Sequence, residues 1–204
     1  MRSRRHLLIL VGLLVLLCSV GVWGWMSFDE KAPSEVHIDR FDRVLDEYVS
    51  LGSYSALHRM NMQYSAETKL LIEDVLKLGR VHEPDAEQRL RRYYLDSTVQ
   101  ILLDEVHRQY ADLSDIESDF GKAFHALKEK YPQFRVPHIY TQVSCLNQSI
   151  VVGDTLIGIS LDKYLGADFP IYKEYYTEEQ RSQMTREAIV NDALNAYLQY
   201  NQIQ

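Results

Sequence analysis

The stretch VPHIYTQVSCLNQSIVVGDTLIGISL (residues 136–161) has a different texture from everything before it. Two runs rich in β-branched residues, 135–146 and 148–161, alternate in polarity and meet at Asn147-Gln148. The second run contains its own Gly153-Asp154 turn signal. Alternation with a period of two marks strands, and Gly-Asp between apolar runs marks a hairpin. The expectation is a small antiparallel sheet of two or three strands between about 136 and 161.

Helical spacing dominates on both sides. VHIDRFDRVLDEYVSL (36–51) places Val36, Phe41, Val44, Leu45 and Tyr48 on one helical face. A weaker helical pattern runs from Tyr64 to Leu78 and stops at Gly79. Pro84 opens a polar helix reaching Tyr110, with a break near Asp96. Ser114 followed three residues later by Glu117 has the form of a capping box, and that helix must stop before Pro132. After the strands, DKYLG (162–166) reads as one helical turn with Asp162 as its N-cap and Gly166 as its stop. A tyrosine-rich loop follows, and a last helix runs from about Glu178 or Arg186 to Tyr200. N-terminal helices, a small antiparallel sheet and a C-terminal helix make an α+β fold, with helices segregated from the sheet.

The N-terminus is a different material. Arg2, Arg4 and Arg5 precede an apolar run from Leu7 to Met26, long enough to cross a hydrocarbon core of about 30 Å as a helix. Residues 1–28 are therefore expected to be a signal anchor or signal peptide, 29–35 a linker and 36–204 an exported domain. Retention is favoured because the apolar run passes the small-x-small site Ser19-Val20-Gly21 and because Trp23 and Trp25 suit an interfacial belt. Cleavage at that site, or lipid anchoring through Cys18, is the alternative; Leu17 is a poor neighbour for lipidation. The expected location is the cell envelope, with the membrane as one partner through the N-terminal helix. Beyond residue 28, 19 basic residues face 29 acidic ones, a net charge of −10. This argues against nucleic acid as a partner. Cys145 is the one thiol in the exported part, so no internal disulfide can form there, and its apolar neighbours suit a buried, unreactive residue.

Chemistry is sparse. IVNDALNAYL (189–198) has the spacing of the zinc-protease helix H-E-x-x-H, but Asn191 and Asn195 stand at the histidine positions and Asp192 at the glutamate position. A carboxamide is a weak, neutral donor for zinc, and Asp is one methylene shorter than Glu. The reading is an amphipathic helix with Ile189, Ala193, Leu194 and Tyr197 inward and the amides outward; a relic of a metal site kept as a groove is the alternative. No two histidines sit at i,i+3 or i,i+4, and there is no nucleophile elbow, P-loop or dinucleotide fingerprint. No catalytic residue, metal ligand or cofactor is assigned. One candidate binding loop remains, carrying Asp162, Tyr164, Asp168, Tyr172, Tyr175 and Tyr176, since loops on a rigid sheet often bind and tyrosines anchor interfaces.

The segments VHIDRFDRVL, FGKAFHALKEKYPQFRVPHIYTQVS and above all LIGISLDKYLGADFPIY resemble the gliding-motility lipoproteins called GldB, over about residues 36–198. That family is similar in turn to predicted zincin-type zinc proteases. The resemblance implies a zincin-like layout, degenerate at Asn191, Asp192 and Asn195, and a non-catalytic accessory or scaffold role beside an envelope protein partner. The alternatives are a metal-dependent peptidase or hydrolase with ligands drawn from distant positions, and a peptide-binding or small-ligand-binding groove between the sheet and the last helix.

Overall fold

A computed structural model describes residues 36–203. The anchor or signal peptide expected over 1–28 and the linker over 29–35 lie outside the described residues. Among the described residues no helix is long and apolar enough to cross a membrane.

The described residues open with a short strand, β1 (Ile38–Asp39), where helical spacing suggests the start of a helix at Val36. Helix α1 begins only at Phe41 and runs to Leu51. It buries Phe41, Val44, Leu45, Tyr48 and Val49, an i, i+3, i+4, i+7, i+8 stripe. Gly52 ends it in the left-handed conformation (φ 67°), which a residue without Cβ adopts at no cost. Ser53 then caps α2 (Tyr54–Met62) by accepting the Ala56 N–H at 3.2 Å. Helix α3 (Ser65–Lys69) passes directly into a π-wound segment, Leu70–Val75. The expected break at Asp96 separates α4 (Ala86–Tyr94) from α5 (Ser97–Gln109), and the Asp96 carboxylate caps α5 through the N–H groups of Thr98 and Val99.

Helix α6 (Ser114–Lys130) lacks the expected capping box. Ser114 turns its N–H and hydroxyl to Asp112, and Glu117 accepts the Ile38 N–H at 2.9 Å instead. A tertiary bond to β1 has taken the carboxylate that a local cap would use.

The sheet is the main correction. Three strands fall within 136–161, as expected, but β1 joins them as a fourth, in the order β1-β2-β4-β3, and the sheet is mixed where an antiparallel one was expected. Strand β2 (His138–Gln142) runs parallel to β1 and to β4 (Leu156–Ser160); only β3 (Ile150–Gly153) is antiparallel, to β4. The Gly153-Asp154 turn is the expected hairpin, but residues 143–149 carry the chain past the future place of β4 to the outer edge. Register puts Ile139, Thr141, Ile157 and Ile159 on one face and Tyr140, Gln142, Gly158 and Ser160 on the other. Both faces are buried, which is why the alternation in 136–161 does not mean one wet side.

Past β4 come a 3-10 turn (Leu161–Lys163), α7 (Tyr172–Tyr175), α8 (Glu178–Ser182), a second 3-10 turn (Arg186–Ala188) and α9 (Ile189–Tyr200). Helix α9 packs on β3, β4 and α6, burying Ile189, Ala193 and Tyr197. Arg186 fixes its approach: the guanidinium lies 4.8 Å from the Tyr110 ring centre, pairs with Asp115, and donates to the carbonyls of Gln109 and Asp112. A planar fork suits such multiple acceptors.

Tyr140 lies across Gly158. A Cβ at residue 158 would stand 2.5 Å from the Tyr140 Cζ and hydroxyl oxygen, in a site where neither residue is exposed. Gly158→Ala should therefore cost about 1–3 kcal/mol in chemical denaturation. In a Tyr140→Ala background the same change should cost less than about 1 kcal/mol, because the clash is gone.

Candidate functional site

Asp162 is the organising residue. It sits in the 3-10 turn at the end of β4 and is fully buried. It does not cap that turn, as its position suggested. Its carboxylate reaches back across the sheet to the 143–149 connection, accepting the Ser144 N–H at 2.7 Å, the Leu146 N–H at 2.6 Å and the Ser144 hydroxyl at 3.3 Å. Burial pushes the carboxyl above its ordinary range, while the N–H groups of Leu146 and Ser144 pull it back. The loop needs this support because Cys145 (φ 54°) and Leu146 (φ 65°) both lie in the left-handed region, which disfavours side chains. The Tyr94 hydroxyl adds a bond to the Val143 carbonyl.

The supported loop forms one wall of a cleft of about 760 Å³. Cys145 and Leu146 line that wall; Arg92, Tyr93 and Asp96 come from α4 and the turn after it. Thr98, Val99 and Leu102 come from α5, and Tyr175 and Tyr176 from α7 and its end. The cleft opens beyond the C-terminal ends of the parallel strands β2 and β4, the side of an open sheet on which ligands commonly bind. Its lining mixes three tyrosines with aliphatic side chains, one guanidinium and one carboxylate.

Beside Asp162, the other five residues of the candidate binding loop divide three ways. Tyr164 and Tyr172 are buried framework: the Tyr172 hydroxyl donates to the Asp162 carbonyl and accepts the Leu165 N–H at 2.9 Å, while the Tyr164 hydroxyl donates to Asp192 at 3.0 Å. Tyr175 and Tyr176 face the cleft. Tyr176 is half-buried, its hydroxyl held by Lys163 at 2.8 Å and donating to the Leu146 carbonyl at 3.2 Å, with the Lys163 ammonium 4.5 Å from its ring centre. Tyr175 is 62% exposed although it lines the cleft. Asp168 is solvated, with its nearest cation Lys173 at 3.7 Å. It takes no part.

Asn191 and Asn195 lie on the exposed face of α9, and Asp192 is half-buried on Tyr164. None of the three lines a described cleft. A 220 Å³ recess does adjoin α9, but at its far end, between Tyr197 and the 131–135 segment. Among the described residues, no group of three or more His, Cys, Asp or Glu is placed to hold a metal ion. Cys145 is half-buried, and burial pushes its thiol well above the ordinary range, disfavouring the thiolate.

The cleft residues from α4 and α5 were beyond reach of the sequence, since they lie about fifty positions from Cys145. The signal nearest to hand was the pair Tyr93-Tyr94 beside the Asp96 break, an aromatic pair next to a helix cap.

A family model described as gliding motility protein GldB matches residues 27–204. The chain belongs to that family of gliding-motility lipoproteins. No curated protein and no solved structure matches the chain.

Replacing Asp162 by Ala would strand the N–H groups of Ser144 and Leu146 in a buried loop. The expected loss is about 2–4 kcal/mol of unfolding free energy by urea titration. Asp168→Ala, outside the framework, should change it by less than about 0.5 kcal/mol.

Proposed function

We propose that this GldB-family chain is a cell-envelope component of the gliding machinery that works by binding, not by catalysis, and that its cleft receives a segment of an envelope protein. The N-terminal apolar run tethers it to the membrane, as a retained helix or, after processing, through lipid on Cys18. The observation that carries the reading is the cleft itself. Its loop wall is shaped by a fully buried carboxylate, yet Tyr175 projects into it largely exposed and Tyr176 half so. A rigid, pre-shaped wall lowers the ordering cost of association. Tyrosines on it offer broad amphipathic contact with few rotatable bonds. The mixed lining suits a peptide segment with apolar and polar positions.

Genetic complementation in a gliding host tests this. With chain levels unchanged, Tyr175→Ala combined with Tyr176→Ala should abolish colony spreading. A photo-reactive residue at Leu102, on the cleft wall, should form an envelope-protein adduct that the double substitution reduces at least tenfold. Asn191→Ala with Asn195→Ala should leave both readouts intact; loss of spreading from those two, with the tyrosine variants normal, would move the site to α9.

A further inference from the structure

A second group of titratable side chains gathers where β1, β2 and α3 meet. His138, the first residue of β2, places its Nε2 3.4 Å from Glu67 Oε1 of α3 and 3.6 Å from Asp39 Oδ2 of β1. On the far side of Asp39, His37 lies 3.5 Å from Oδ1 and 3.4 Å from Glu117 of α6, the carboxylate that also holds the Ile38 N–H. Acid and imidazole thus alternate from α6 across β1 to α3. Glu67 is only 7% exposed, and among the described residues no Lys or Arg pairs with it or with Asp39.

The other groups packed around His138 are occupied or uncharged. Asp42 of α1 pairs with Arg40 at 2.7 Å and accepts the Thr141 hydroxyl. Arg59 of α2 faces Glu47 at 3.9 Å. Tyr140, whose ring stacks on His138, and Tyr64 before α3 both have hydroxyls raised by burial, so they stay neutral. Arg59 also bonds the Tyr64 hydroxyl, so among the described residues the direct ion-pair partners of Glu67 and Asp39 are imidazoles.

We propose that His138 is a pH-operated latch: protonated, it ties α3 and β1 to the start of β2, and neutral, it lets both loosen. The elements it holds have little stability of their own. β1 is two residues long, and α3 is five residues that run into π-wound turns with poorer helical bonding. β1 also directly follows residues 27–35, the stretch that leads from the apolar N-terminus.

The pH direction follows from the two partners. Contact with Glu67 raises His138 above the ordinary 6.5, against the opposing effect of burial. Burial raises Glu67, but the contact with His138 and a hydrogen bond from its own backbone N–H together outweigh it and leave the carboxyl below its ordinary value. The imidazole's contribution is fully present below about pH 6.5 and is lost as pH rises through the raised folded value. The carboxylate's is present above about 4.5 and is lost as pH falls through its lowered one. The latch is closed between them and opens on the alkaline side.

Deuterium exchange of the full-length chain, compared with His138→Gln at each pH so that intrinsic rates cancel, reads the latch. Over residues 36–40 and 65–75 the wild type should exchange about three- to tenfold more slowly at pH 5.5. The two should be equal within twofold at pH 8.5. A ratio that does not change with pH would mean His138 only fills space, and would overturn the proposal. Should His138→Gln fail to fold, the His138 imidazole titration by NMR decides. Its midpoint should lie above that of free histidine and fall toward it in Glu67→Gln. A midpoint at or below free histidine, or one indifferent to Glu67→Gln, overturns the latch.

Discussion

Everything about the cleft depends on one buried carboxylate. Asp162 collects two backbone N–H groups and a hydroxyl from a loop that must carry two consecutive residues in the left-handed region. Those bonds hold the 143–149 connection together with the hydroxyls of Tyr94 and Tyr176, which donate to the Val143 and Leu146 carbonyls. The loop's course is what sends β3 to the outer edge and leaves a central place for β4. The cleft at the C-terminal end of the parallel β2–β4 pair takes one wall from that loop.

Such a group is expensive to bury. A carboxylate leaving water forfeits strong hydration, and burial pushes Asp162 toward its neutral form. Three donors within hydrogen-bond reach offset that cost only when their geometry is fixed, and the surrounding tyrosines do the fixing. Tyr172 bridges the Asp162 carbonyl to Leu165, Tyr176 bonds Leu146, and Tyr94 bonds Val143. The tyrosine richness of the 164–176 segment is thereby divided between scaffolding and surface. Tyr164 and Tyr172 bond their hydroxyls inside the fold, whereas Tyr175 is largely exposed at the cleft.

This division also marks how far the sequence could be read. Helices with a clear apolar stripe, such as α1, and caps with a local mechanism, such as Asp96, were legible because their determinants lie within one or two turns. The strands in 136–161 were legible as strands, but not their direction, because the parallel pairing of β2 with β4 brings together segments that alternation along the chain does not relate. Ser114 and Glu117 had the spacing of a capping box, and Ile38, 79 positions off, took the glutamate. Asp162 stands at a strand exit, where position suggests a local cap, and its carboxylate serves a distant loop instead. The α4 and α5 walls of the cleft had no local signature at all. Degenerate zinc-helix spacing at Asn191, Asp192 and Asn195 drew attention to α9, whose amides face outward and whose Asp192 serves Tyr164.

Amide exchange resolved by NMR at three adjacent residues examines the central claim most directly. Ser144 and Leu146 donate to Asp162, whereas the intervening Cys145 N–H has no such acceptor. In the full-length chain the Ser144 and Leu146 amides should exchange at least a hundredfold more slowly than that of Cys145. Equal exchange at all three would mean that the carboxylate does not hold the loop and that the cleft wall owes its shape to other contacts.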